Sequence, residues 1–180
     1  MKKLIAAAWV FVLSTALVLI VSTADANAQL HSQPLSISSI AQQLQTPDAI
    51  AKYLWRHFSF ETDQRQFGQE EYWQSPSEFM TRGKGDCEDF AILASSLLKQ
   101  SGVKSFIVNI YGSRFAHTIC VFEENGKLNA IDGSEIKRLA ADSLEELAKK
   151  IHADWDRVAI VSPSTANPHQ ARLLKMISRK

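Results

Sequence analysis

The sequence predicts an α+β fold in which one long helix packs against an antiparallel sheet, and three observations carry this. Residues 87–100 place Phe90, Ala91, Ala94, Leu97 and Leu98 at helical spacing, and Gly102 ends the run. Phe106, Val108 and Ile110 alternate, as do His117, Ile119 and Val121, which is the period of strands. Asn125-Gly126 separates the second of these strands from a third at about 128–132 and reads as a hairpin turn.

Composition fits a globular chain: of 180 residues, 46% are hydrophobic and 9% aromatic. A formal net charge of +1 removes the long-range positive field expected of a dedicated nucleic-acid binder, so no nucleic-acid partner is expected. Two cysteines cannot build a disulfide scaffold or a four-cysteine zinc site.

The first block is distinct from the rest. Lys2 and Lys3 precede residues 4–21, in which Ser14 and Thr15 are the only polar positions, and Ala26-Asn27-Ala28 has the small-x-small form of a signal-peptidase site. Residues 1–28 therefore read as a signal peptide or an N-terminal membrane anchor, and the remainder as exported. Membrane contact is expected only if that segment is retained. Cleavage would remove Lys2, Lys3 and Asp25 and leave acidic and basic groups in balance.

Residues 29–46 read as a polar linker, with Ile37, Ile40 and Leu44 on a weak helical face. Thr46-Pro47 opens a helix to about residue 57, with Thr46 as cap, Pro47 in the first turn and Ile50, Tyr53, Leu54 and His57 on its buried side. His57 reads as a structural or surface histidine. The stretch 59–74 fits no single period and is expected to be irregular, its aromatics docking on the domain. Ser75-Pro76-Ser77-Glu78 is a capping box, and Gly83 and Gly85 are expected to stop that helix and make a flexible turn before Asp86-Cys87. Another capping box, Ser143 to Glu146, starts a helix to about His152, and residues 157–161 read as a strand. From 162 to 180 the chain is a turn-rich tail whose last segment, ARLLKMISRK, is expected to form a short basic helix.

Cys87 opens the central helix, where unpaired backbone N–H groups and the helix dipole favour a thiolate. Asp86, Glu88 and Asp89 oppose this, because like charge disfavours ionisation. A histidine is expected from the strand that begins at His117. If 117–123 and 127–132 pair about the Asn125-Gly126 turn, their far ends meet and Asp132 lies beside His117. A sulfur within roughly 4 Å of a His117 ring nitrogen is the geometry a Cys-His-Asp relay needs. On the residues alone two readings of Cys87 stay open, a nucleophile or a structural cysteine among ordinary capping acids. Cys120 reads as a small core residue, with a Cys87–Cys120 bridge as the alternative that would abolish nucleophilic function. Trp73 is a candidate wall of the substrate cleft or an indole donor to it.

Gln74–Phe79, Gly83–Ala91, Ala116-His117-Thr118 and Ala130–Gly133 closely resemble the transglutaminase-like superfamily, above all its bacterial periplasmic cysteine-proteinase branch, over roughly 47–161. The resemblance implies a papain-like core in which the helix bearing the nucleophile packs on an antiparallel sheet bearing histidine and aspartate. It implies that Cys87 attacks an amide carbonyl, His117 carries the proton, Asp132 orients His117, and water releases the thioester. It further implies calcium at Asp86 and Glu88, whereas the residues alone also allow Asp86 and Asp89 to cap the helix without a metal. No cofactor is required for the chemistry itself. The expected protein is an exported periplasmic cysteine hydrolase that cleaves a peptide or isopeptide amide of a protein or peptide substrate. Its rivals are a protein-glutamine amine transferase using the same three residues and a noncatalytic module that binds peptide or cell wall.

Overall fold

A computed structural model describes residues 36–179, so the expected leader and the first part of the expected linker lie outside the described residues. Among the described residues no helix is long and apolar enough to cross a membrane.

The stretch 37–43, inside the expected linker, forms α1 (Ile37–Gln43), started by the Ser36 side chain accepting from the Ser39 N–H. Its Ile40 and Ala41 are buried on the central helix, which explains why a weak apolar face was enough to order it. Helix α2 (Pro47–His57) begins as its sequence predicts: Thr46 accepts from the Ala49 N–H at 3.2 Å and Pro47 occupies the first turn. Its Ile50 and Leu54 are fully buried. Two residues, β1 (Ser59–Phe60), and a short helix, α3 (Asp63–Phe67), follow in the stretch expected to be irregular. Helix α4 (Pro76–Arg82) carries the predicted capping box, with Ser75 N–H donating to Glu78 at 2.8 Å.

The next two residues, β2 (Lys84–Gly85), pair in parallel with β1. Gly85 is therefore not part of a flexible turn. It is buried in a strand, and a Cβ there would fall 2.7 Å from the Asp89 Cβ and 2.8 Å from Phe79. Glycine is required here by space, whereas Gly83, at φ 69°, serves as the left-handed end of α4.

Helix α5 (Cys87–Gln100) is buried along almost its whole length and packs chiefly on the sheet. That sheet has six antiparallel strands in the order β6-β5-β4-β3-β7-β8, comprising β3 (Ser105–Gly112), β4 (Phe115–Glu124), β5 (Lys127–Asp132), β6 (Glu135–Ala141), β7 (Trp155–Pro163) and β8 (Ala171–Ser178). Alternation divides its side chains between two cores. Ile107, Cys120, Phe122 and Ile131 face α5, while Val108, Ile110, Ile119, Val121 and Ala130 pack with α6 (Leu144–Ile151) through Leu144, Leu147 and Ala148. Because both faces are covered, Thr118–Phe122 are buried without a break. This is the α+β arrangement the sequence predicts.

Two strands differ from expectation, one of them in the tail. Residues 171–178 are not a basic helix but the edge strand β8, paired along β7 from Pro163↔Ala171 to Arg157↔Ser178. The helical spacing of Leu173, Leu174 and Ile177 is overridden by the open edge of β7, which supplies backbone partners that an isolated eight-residue helix lacks. Strand β6 was not anticipated either, since Ile136 and Leu139 do not alternate and the ladder shifts register between Leu128 and Ala130.

Candidate active site and acidic cluster

Cys87 is the first residue of α5, and the sheet contributes His117 and Asp132 from adjacent strands. The β4–β5 ladder runs from Glu124↔Lys127 to Cys120↔Ile131, so the Asn125-Gly126 turn carries the strand ends towards each other. His117 Nε2 donates to Asp132 Oδ1 at 2.7 Å. Burial works to raise the Asp132 carboxyl, and the hydrogen bond and charge of His117 outweigh it, so Asp132 lies below its ordinary value.

Cys87, His117 and Asp132 line one open cavity of about 340 Å³, together with Trp55, Phe58, Phe60 and Phe90. Within it the thiol has a different partner from the one expected: Cys87 Sγ donates to Glu88 Oε2 at 3.2 Å. The reason is electrostatic. Burial, then the Glu88 charge, push the Cys87 thiol up to about 12, a shift the Thr118 backbone N–H only partly opposes. Burial and the adjacent Asp86 push Glu88 up to about 10. In this state the thiol keeps its proton and shares it with its neighbour on the helix. Cys87 and Cys120 are both free thiols, and Cys120 is fully buried on the helix side of the sheet.

Trp73 does not line the cavity. It is fully buried, and its indole N–H donates to Glu71 at 2.6 Å. Its backbone instead meets the tail, donating to the His169 carbonyl at 3.2 Å while its own carbonyl lies 3.0 Å from His169 Nδ1. The large apolar surface that predicted a cleft position is satisfied by the core.

Behind the thiol, Asp63, Asp86 and Asp89 bring carboxylate oxygens within 4.8 Å of one another and can hold a metal ion. The β1–β2 pairing assembles them: Ser59 and Glu61 N–H donate to the carbonyls of Gly83 and Gly85 at 3.0 and 2.9 Å, laying the chain before Asp63 beside the chain before Asp86. The Asp63 N–H then donates to Asp86 Oδ2 at 3.3 Å. Asp89 is held by Gln74, whose backbone N–H and Nε2 donate to it at 2.8 and 2.5 Å. Burial is the main cause that raises Asp63 to about 6 and Asp89 to about 7, and the neighbouring acids add to it. Glu88, expected as a ligand beside Asp86, is not one of this trio; its carboxyl accepts from the thiol and lies against Asp86 and Asp63. Asp63 carried no local signal, because only the two-residue strand pairing brings it to Asp86.

Asp63 Oδ1 and Asp86 Oδ1 are buried without a hydrogen-bond partner, as is Gln74 Oε1. Buried carboxylate oxygens left in this condition are costly, and a hard cation with oxygen ligands satisfies them.

The sequence pattern of the transglutaminase-like domain family matches residues 32–151. This chain belongs to that family. Among solved structures, the transglutaminase-like chain is similar to calcium-bound LapG of Legionella pneumophila at 25% identity, covering 71% of this chain and 65% of that one with a TM-score of 0.45. A second LapG structure from the same organism gives 27% identity over 61% of each chain and a TM-score of 0.43. An EGTA-treated form gives 23% identity, 74% and 69% coverage and a TM-score of 0.46. The chain thus spans just under two thirds of the length of the first two. No curated protein sequence matches it.

Proposed function

We propose that this transglutaminase-like protein is an exported, periplasmic cysteine hydrolase that cleaves a peptide or isopeptide amide. The observation that carries the reading is the shared cavity: Cys87 at a helix start lines it together with a histidine hydrogen-bonded to an aspartate. Cys87 Sγ attacks the amide carbonyl after exchanging its Glu88 partner for His117. His117 accepts the thiol proton and delivers it to the leaving amine. Asp132 fixes the imidazole and stabilises its charged form. The acyl group remains on Cys87 as a thioester, which water, activated by His117, hydrolyses. The Cys87 and Thr118 backbone N–H groups are the candidate donors to the developing oxyanion.

Asp63, Asp86 and Asp89 would hold calcium, the hard cation suited to an all-oxygen donor set. Bound there, it would supply positive charge beside Glu88 and Cys87 and so favour the ionised forms that burial resists.

The test is to incubate the full chain with periplasmic proteins and a tagged primary amine, and to read new amino termini and tag positions by mass spectrometry. Termini that vanish in Cys87→Ala are expected, and His117→Ala should lose them as well. Tag at glutamine without chain cleavage would replace hydrolysis by amine transfer, and neither product would leave a binding module.

A further inference from the structure

The cavity that holds Cys87 has an aromatic wall that the proposed chemistry does not use. Trp55 is 71% exposed and Phe60 is 67% exposed, yet both line this cavity. Trp55 lies on α2, whose Ile50 and Leu54 are fully buried, so a rigid helix presents the indole. Phe60 lies on β1, held by the pairing to β2. Beneath them Phe58 and Phe90 connect the wall to the core, with ring centroids 4.5 Å from Phe58 to Phe79 and 4.9 Å from Phe79 to Phe90.

Single exposed apolar residues are ordinary on a protein surface. Two large aromatics on different elements, converging on the cavity of a candidate nucleophile, are a different matter, because their exposed faces remain unsatisfied until something apolar covers them. The cavity's charge narrows what that is. No lysine, arginine or glutamate lines it, and its carboxylate, Asp132, is bonded to His117. A charged substrate side chain would lose its hydration without gaining an ionic partner.

Resting on the hydrolase reading above, we propose that Trp55 and Phe60, backed by Phe58, form a specificity subsite for a bulky apolar side chain on the acyl side of the scissile amide. The acyl half stays tethered to Cys87 between attack and hydrolysis, so a wall in the same cavity as the sulfur retains that half. The preferred substrate is a polypeptide carrying an aromatic or branched aliphatic residue within two positions of the attacked carbonyl.

The experiment uses dipeptidyl acyloxymethyl ketones that alkylate Cys87, with phenylalanine, leucine or glycine at each of the two acyl-side positions. Second-order rates are read by mass spectrometry on the full chain in calcium-containing buffer. Iodoacetamide, which has no side chain to place, serves as the second probe. The phenylalanine or leucine probe should react about tenfold or more faster than the glycine probe, the scale on which apolar pockets discriminate. Trp55→Ala and Phe60→Ala should bring that ratio towards one, and Trp55→Phe should preserve most of it. Both residues are largely exposed, so the variants are expected to fold. A wild-type ratio near one, or a ratio untouched by both alanine variants, overturns the subsite even when iodoacetamide labels Cys87. Failure of iodoacetamide to label Cys87 in the folded protein, with labelling after unfolding, overturns the hydrolase reading and the subsite with it.

Discussion

Replacing Gly85 by alanine should destabilise the protein more than the same change at Gly83, although Gly83 has the left-handed backbone. At Gly85 the added Cβ would sit 2.7 Å from the Asp89 Cβ and 2.8 Å from Phe79 Cε2. Ordinary carbon contacts lie at about 3.5–4.0 Å, so each neighbour must retreat by roughly 1 Å. Neither can do so freely. Phe79 is fully buried and packed between Phe58 and Phe90, and Asp89 is fully buried in its bonds to Gln74. Overpacking of this kind costs about 1–3 kcal/mol, and a strained hydrogen bond to a charged group adds about 1.5–3 kcal/mol. A total of about 3–5 kcal/mol corresponds to a fall in Tm of roughly 6–20 °C for a domain of this size. At Gly83 the nearest atom to an added Cβ is the His57 carbonyl oxygen, at 3.7 Å. That variant therefore pays only the left-handed strain of about 1–2 kcal/mol. Thermal unfolding followed by circular dichroism, in chelator-treated buffer, ranks the two. If Gly83→Ala is the more damaging, or if Gly85→Ala melts within a degree of the parent, the close-packed account of the loop is refuted.

Two further outcomes follow from the site. Asp63→Asn keeps an oxygen acceptor for the Tyr72 N–H but removes one charge from the carboxylate trio, so calorimetry should show calcium affinity falling about tenfold or more, and unchanged affinity would remove Asp63 from the metal site. Asp132 is depressed below its ordinary value of 3.8, so its contribution to stability is present above that pH and fades as pH falls through the lower folded value; the Tm gap between the parent and Asp132→Asn should be full at neutral pH and begin to close near pH 3.8, and a gap that widens in acid would contradict the His117–Asp132 pairing.

What the sequence made legible was what local rules determine. The central helix follows from the spacing of Phe90, Ala94 and Leu97 and ends within a turn of Gly102. The closeness of His117 and Asp132 follows from a two-residue turn, because register in a hairpin propagates from the turn to the strand ends. What stayed hidden depends on partners distant in the chain. Asp63 reaches Asp86 only through a two-residue parallel pairing that no propensity announces. The tail strand exists because β7 has an open edge, and Trp73 is internal because its ring joins the core while the tail at His169 bonds its backbone. Phe60, in a stretch whose aromatics were expected to dock on the domain, remains largely exposed. The partner of Cys87 was hidden for another reason. Neighbouring charges and a helix dipole favour opposite protonation states, and only the extent of burial decides between them.

The parts of the candidate site differ in how they are held, and this locates the change that the proposed chemistry requires. His117 and Asp132 are carried by central strands whose ladders run on both sides, with Thr118 Oγ1 donating to Asn109 at 3.0 Å beside them. The Cys87 backbone is fixed by α5, whose Phe90, Leu93 and Leu97 are buried in the core. Asp89 is pinned by Gln74, and Gln74 in turn donates to the Lys84 carbonyl at 3.0 Å. The thiol of Cys87 and the carboxyl of Glu88 meet on the first turn of the helix, with the Thr118 backbone N–H at the sulfur and Asp86 at the carboxyl. On the proposed hydrolase reading, making the thiol nucleophilic requires a change of partner and of proton between these two adjacent side chains. On that reading control of the nucleophile lies in the charge of the acidic turn: Asp86 and Asp89, two of the three residues that would hold a cation, lie within two positions of Cys87, and Asp63 joins them through the β1–β2 pairing.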